Sequence, residues 1–85
     1  MSVKLLYFAA LREQVGCAEE SLALPEGVGT VAGLRAHLMA RGGAWQTSLA
    51  ATRALRVAVN QVMAQPGTPV KAGDEVAFFP PVTGG

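Results

Sequence analysis

The chain is poor in the residues from which most active sites are built. It has one cysteine, Cys17, one histidine, His37, 6% aromatic residues and only 15% charged residues in 85 positions. A single cysteine excludes an internal disulfide framework and fits a reducing compartment. A single histidine leaves nothing with which to make a histidine metal site or a catalytic pair, so no metal is expected. There is no glycine-rich phosphate loop, no paired-cysteine motif and no helical His-Glu-x-x-His signature. The net charge is +1, and the seven Lys and Arg residues are scattered from Lys4 to Lys71 without a run. Nucleic-acid binding therefore has no electrostatic footprint. No apolar stretch approaches the ~20 residues needed to cross a bilayer, and no basic segment followed by an apolar one opens the chain. The expectation is a cytoplasmic protein with neither a membrane nor a nucleic acid among its partners.

What is present is apolar. Hydrophobic residues make up 51% of the sequence, more than an average domain carries, in a chain long enough for one core and one domain. The surplus points to a partner-binding face, the alternative being a densely packed monomer. Val3 to Phe8 is a short run whose two alternating sets, Val3/Leu5/Tyr7 and Lys4/Leu6/Phe8, are both largely apolar. That pattern predicts a central strand covered on both faces. Ala9 to Val15 holds good helix formers and stops at Gly16, and Glu20 to Leu24 alternates before Pro25, giving a short helix and a second strand. Thr30 precedes Val31, Leu34 and Leu38, with Gly42 and Gly43 beyond them; an N-cap threonine and C-terminal glycines bracket one amphipathic helix. Ala44 to Thr52 reads as a loop with some helix. Leu55 to Val59, a turn at Asn60 and Gln61, Val62 to Ala64 and finally Glu75 to Phe79 supply the remaining strands. The order of elements suits a mixed sheet packed on one main helix, an α+β roll of the β-grasp type.

The carboxylates Glu13, Glu19, Glu20, Glu26, Asp74 and Glu75 fall at turns and solvated faces. Cys17 follows Gly16 with no basic neighbour in sequence to activate it, and His37 lies off the apolar line of its helix. The chemistry-bearing feature is the end, where the strand Glu75 to Phe79 runs into Pro80, Pro81, Val82, Thr83, Gly84 and Gly85. Two prolines cannot extend a central strand and hold the backbone extended, so residues 80–85 are expected to project as a tail from a body spanning 1–79. Gly84 and Gly85 would let a terminal carboxylate enter a channel too narrow for a Cβ. The plain alternative is a frayed terminus.

Together, the segments LYFAALRE (Leu6 to Glu13), TVAGLRAHL (from Thr30), RALRVAVNQ (Arg53 to Gln61) and TPVKAGDEVAFFPPVTGG (from Thr68) resemble the small subunits of molybdopterin synthase, sulfur carriers of the ubiquitin-like β-grasp superfamily. The resemblance implies that Gly85 is adenylated and then thiocarboxylated, with Gly84 beside it, and that its sulfur goes to cyclic pyranopterin monophosphate. The implied partners are the large synthase subunit, in a heterotetramer, an E1-like adenylating enzyme and a sulfur donor of cysteine desulfurase or rhodanese type. ATP is used by the activating partner, and this chain binds no cofactor and is inactive alone. Partner contacts are expected at Phe78, Phe79, Pro80, Pro81 and Phe8, with Arg12 either a contact for the activating enzyme or a solvated helix residue. One of Phe78 and Phe79 should be core, since neighbours in a strand face opposite ways. A carrier for thiamin or tRNA thiolation, or a ubiquitin-like protein modifier, is the alternative.

Overall fold

The computed structural model describes residues 2–50 and 55–80. In chain order the elements are β1 (Ser2–Tyr7), α1 (Ala9–Val15), β2 (Glu19–Ala23), α2 (Val31–Met39), α3 (Gly43–Ser48), β3 (Arg56–Val59), β4 (Val62–Met63) and β5 (Glu75–Phe79). The strands form one sheet in the order β2-β1-β5-β3-β4. The first and last strands lie parallel at its centre, with Tyr7 beside Phe78, and the other pairs are antiparallel. A central parallel pair flanked by β2 on one side and the β3–β4 hairpin on the other, crossed by a helix, is the ubiquitin-like β-grasp arrangement.

Why the chain adopts these elements is largely local. Gly16 ends α1 in the left-handed region (φ 72), where a residue without a Cβ is unstrained. Thr30 caps α2 by accepting the Gly33 N–H at 3.1 Å. The helix then stops at Met39 with Ala40 as its C-cap, earlier than the two glycines suggest. Gly42 (φ 78) instead caps the start of α3, so the segment read as a loop with some helix contains a full short helix. Asn60 and Gln61 both have positive φ (51 and 69), the conformation of a two-residue I′ hairpin loop, for which Asn is favoured at the first position. Asn60 also ties that hairpin to β5: its side chain accepts the Glu75 N–H and donates to Asp74, each at 3.0 Å. The bond donated by Asn60, then one from the Lys71 backbone N–H, holds the Asp74 carboxyl below its ordinary pKa.

The core joins Val3, Leu5 and Tyr7 of β1, Val76 and Phe78 of β5 and Val57 of β3 to Val31, Leu34 and Leu38 of α2, with Leu11, Leu49 and Val70 completing the cluster. Each fully buried side chain of this size contributes about 1.5–3 kcal/mol of transfer free energy. The expectation that β1 is covered on both faces is not met. Ser2 and Lys4 are exposed and Leu6 is half-buried while Val3, Leu5 and Tyr7 are buried. The helices' apolar side chains in this core meet the one face, and among the described residues no second layer lies over the other.

Candidate functional site: the root of the tail and the open sheet face

The end of β5 is where the two halves of the sheet meet. Phe79 pairs with Arg56 of β3, and on the other side the Phe8 N–H donates to the Phe78 carbonyl at 3.1 Å. Strand alternation then separates the two phenylalanines. Phe78 is fully buried, so its side chain is core and cannot dock a partner. Phe79 is half-buried and emerges on the opposite, open face. Phe8 continues the outward set of β1, extended at φ −116, ψ 157. Ala9 next takes φ 55, which bends the chain sharply into α1 and leaves Phe8 47% exposed at the corner. Phe8 and Phe79 thus flank the point where Pro80 leaves the sheet. Arg12 is exposed one helical turn on, its N–H directed at the Phe8 carbonyl (3.4 Å). Pro81, Gly84 and Gly85 lie outside the described residues.

Between these aromatics and the sheet's edges the open face carries small apolar residues that composition did not single out. Leu6 pairs with Ala77 and Ala77 with Ala58 across three neighbouring strands. The signal was available in the alternation of LRVAV and in the two-residue period of any strand, but which alternate faced outward depended on where the helices packed. Lys4, ion-paired with Glu19 at 3.3 Å, and Arg56 border this strip. It can offer a flat apolar surface with cationic margins, and nothing in it resembles a nucleophile with a base.

Behind the face, an aromatic and ionic brace stiffens the same end of the sheet. Tyr7 stacks on Phe78 (6.0 Å between centroids, 14°) and meets the edge of Trp45 at 5.2 Å. The Tyr7 hydroxyl donates to Glu20 Oε2 at 3.0 Å. Arg41 grips both Glu20 oxygens at 2.8 and 2.9 Å and lies 4.4 Å over the Trp45 ring. Burial first, then the bond to Glu20, pushes the Tyr7 phenol well above its ordinary range, so it stays a neutral donor. The Arg41 bonds lead in holding the Glu20 carboxyl below its ordinary value. The fold therefore binds the ionised form more tightly than the unfolded chain does. That stabilisation is present above the unfolded carboxylate pKa and fades as pH falls through the lower folded value. Glu20→Gln should cost about 1–2 kcal/mol at neutral pH and lower Tm by several degrees. It should also flatten the fall of Tm below about pH 5; thermal denaturation across pH checks this, and equal acid slopes for both proteins would refute it.

Cys17 is half-buried, and its thiol donates to the Glu19 carbonyl at 3.3 Å. Among the described residues no group of His, Cys, Asp and Glu is placed to hold a metal, and no helix is long and apolar enough to cross a membrane.

Comparison with known proteins extends this picture along the whole chain. The ThiS family model matches residues 5–85. The molybdopterin synthase sulfur carrier subunit of Haemophilus influenzae is 40% identical over 83 residues, covering 98% of this chain and 99% of that protein. The protein of the same name from Escherichia coli is 43% identical with the same coverage. Among solved structures, SAMP1 from Haloferax volcanii superposes with a TM-score of 0.82 at 29% identity, covering 100% of both chains. Because the family pattern begins inside β1, runs through the sheet and the tail root and continues to Gly85, the chain belongs to the ThiS family.

Proposed function

We propose that this chain is the sulfur carrier of a molybdopterin synthase and that the carboxyl group of Gly85 is the carrier. The observation that supports this most is near full-length similarity, at 40 and 43% identity, to two proteins named as molybdopterin synthase sulfur carrier subunits. The geometry agrees: β5, held on both sides at the sheet's centre, delivers the chain to Pro80 between two exposed or half-exposed aromatics.

A carboxylate is a poor electrophile because oxide is a poor leaving group. In the proposed sequence, an E1-like partner lets the Gly85 carboxylate attack the α-phosphorus of ATP, releasing pyrophosphate. A persulfide on a desulfurase or rhodanese-type donor then attacks the acyl carbon and displaces AMP, giving an acyl disulfide, and a second thiol cleaves its S–S bond to leave the thiocarboxylate while a disulfide forms on the donor side. The large synthase subunit uses that sulfur to build the dithiolene from cyclic pyranopterin monophosphate. The acid, base and phosphate-binding groups belong to the partners. This chain contributes a rigid docking face and an end slim enough to thread into two active sites. Leu6, Ala77, Phe8 and Phe79 form that face around the buried Ala58, with Arg12 at its margin. The tail's function requires no cysteine, so Cys17→Ser should leave sulfur transfer in a reconstituted synthase essentially intact; loss of transfer in a folded variant would move the carrier role to the thiol.

The likeness to Haloferax volcanii small archaeal modifier protein 1 (TM-score 0.78, 27% identity) favours a second reading, attachment of Gly85 to lysines of other proteins. Intact mass after incubation with the cognate activating enzyme, ATP and a sulfur source separates the two. A carrier gains the difference between sulfur and oxygen, whereas a modifier appears as a branched adduct on another chain. No gain of sulfur under conditions that charge the Escherichia coli relative would refute the carrier reading.

A further inference from the structure

The parallel ladder at the centre of the sheet ends at one rung, and both of its strands leave there. Lys4 pairs with Glu75, Leu6 with Ala77 and Tyr7 with Phe78, so the same register sets Phe8 beside Phe79. In a parallel pair, a β1 residue whose backbone faces β5 donates its N–H to the residue before its pair. Its C=O accepts the N–H of the residue after that pair. Lys4 and Phe8 obey the first half, donating to the Asp74 and Phe78 carbonyls at 2.9 and 3.1 Å. The second half fails at Phe8. The donor due to its carbonyl is the N–H of residue 80, and residue 80 is proline, which has none.

The Phe8 carbonyl is in place for that bond. Phe8 keeps extended angles, φ −116 and ψ 157, under which a residue's C=O lies on the same side as its own N–H, here toward β5. It accepts instead the Arg12 N–H of α1 at 3.4 Å, longer than the usual ~2.9–3.0 Å, and a carbonyl has a second lone pair to offer. Ala9 then takes φ 55, a left-handed conformation that is costly for a residue with a Cβ. That turn swings β1 out of the sheet at the rung where β5 loses its donor. On the other side Phe79 is still paired with Arg56 of β3, so the absent Pro80 N–H is what leaves the end of β5 unlatched from β1.

We infer that Pro80 is a positioning residue: by denying the Phe8 carbonyl its next donor, it ends the β1–β5 ladder and leaves the root of the tail free to lift into a partner's active site. The inference rests on the reading of Gly85 as the reacting end. A residue with an N–H at position 80 closes the rung, the more readily because Pro81 follows and a residue before proline favours extended backbone. The tail then starts one residue later, about 3.3 Å shorter in reach, unless the new bond breaks. One net hydrogen bond makes the lifted state about threefold to tenfold rarer, and the apparent affinity for the activating enzyme falls by the same factor.

The test compares full-length chains made by total synthesis: wild type, Pro80→Ala, and Pro80→N-methylalanine, which lacks the ring but also lacks the N–H. With nitrogen-15 at residue 80 and carbon-13 at the Phe8 carbonyl, Pro80→Ala should show a scalar coupling between the two labels. Its residue 80 amide should exchange about threefold to tenfold more slowly than in an unstructured peptide of the same tail sequence. In ATP–pyrophosphate exchange with the cognate activating enzyme, KM for the Pro80→Ala chain should rise about threefold to tenfold with kcat unchanged. N-methylalanine should return KM to within about twofold of wild type. Absence of coupling and protection in Pro80→Ala would overturn the inference, as would an unchanged KM in a chain whose rung has closed. A KM as high with N-methylalanine as with alanine would also overturn it, giving the role to the ring rather than to the missing N–H. If wild type itself is not adenylated, the Gly85 reading fails, and the coupling alone still decides whether Pro80 ends the ladder.

Discussion

One alanine appended after Gly85 should abolish adenylation of the chain while leaving its fold and its affinity for the large subunit close to unchanged. The extension keeps a carboxylate, adds no charge and lies beyond every described element, so a module that only docks would not respond. The activating site must respond, because it has to hold the carboxylate within about 3–3.5 Å of the α-phosphorus, and a displacement of about 1 Å can already cost 10²-fold. An extended residue displaces the carboxylate by about 3.3 Å or more and introduces a Cβ where Gly84 and Gly85 have none. A loss of at least about 10²-fold in ATP–pyrophosphate exchange is expected. Normal exchange without prior trimming of the extra residue would overturn the assignment of Gly85 as the reacting end.

The second large effect separates two neighbouring phenylalanines. Phe79→Asp should reduce affinity for the large subunit by about 2 kcal/mol or more, roughly thirtyfold, as loss of an aromatic anchor at an interface does. The fold should survive, because Phe79 is half-buried on the open face and an aspartate there sits across from Arg56 of β3, a favourable cross-strand pair. Phe78→Ala should do the reverse. Its side chain is fully buried and stacked on Tyr7, so truncation should cost about 3–5 kcal/mol, a large part of the stability of a domain this size. Calorimetric titration with the large subunit and circular dichroism on both variants would read the contrast. Unchanged affinity in folded Phe79→Asp would remove the open face from the interface.

The elements were legible because the signals that define them are local. A capping threonine at Thr30, the glycine after Val15, the Asn60–Gln61 turn and the alternation in LRVAV each act within a few residues. Two local readings failed for the same reason. The glycines at 42 and 43 look like the end of α2, but the chain stops that helix at Met39 and uses Gly42 to open α3, whose Trp45 packs on Tyr7 from more than thirty residues away. The apolar set Leu6 and Phe8 looks like a second buried face, but among the described residues no element covers it.

The sequence by itself determined the β-grasp order of elements and carries a run of Pro-Pro-Val-Thr-Gly-Gly after the last strand. Both rest on properties that reside in single residues or short spacings: apolar periodicity, backbone freedom and missing backbone donors. Only the tertiary structure decided which of Phe78 and Phe79 faces outward, that Leu6, Ala77 and Ala58 line up across three strands, that Glu20 and Arg41 brace Tyr7 and Trp45, and that the β1–β5 ladder ends at the Phe8 carbonyl. Each of those depends on strand register and on which side of the sheet the helices occupy, and neither is encoded in any one segment; they are settled when β1 and β5, more than sixty residues apart, pair in parallel and commit one face of the sheet to the core.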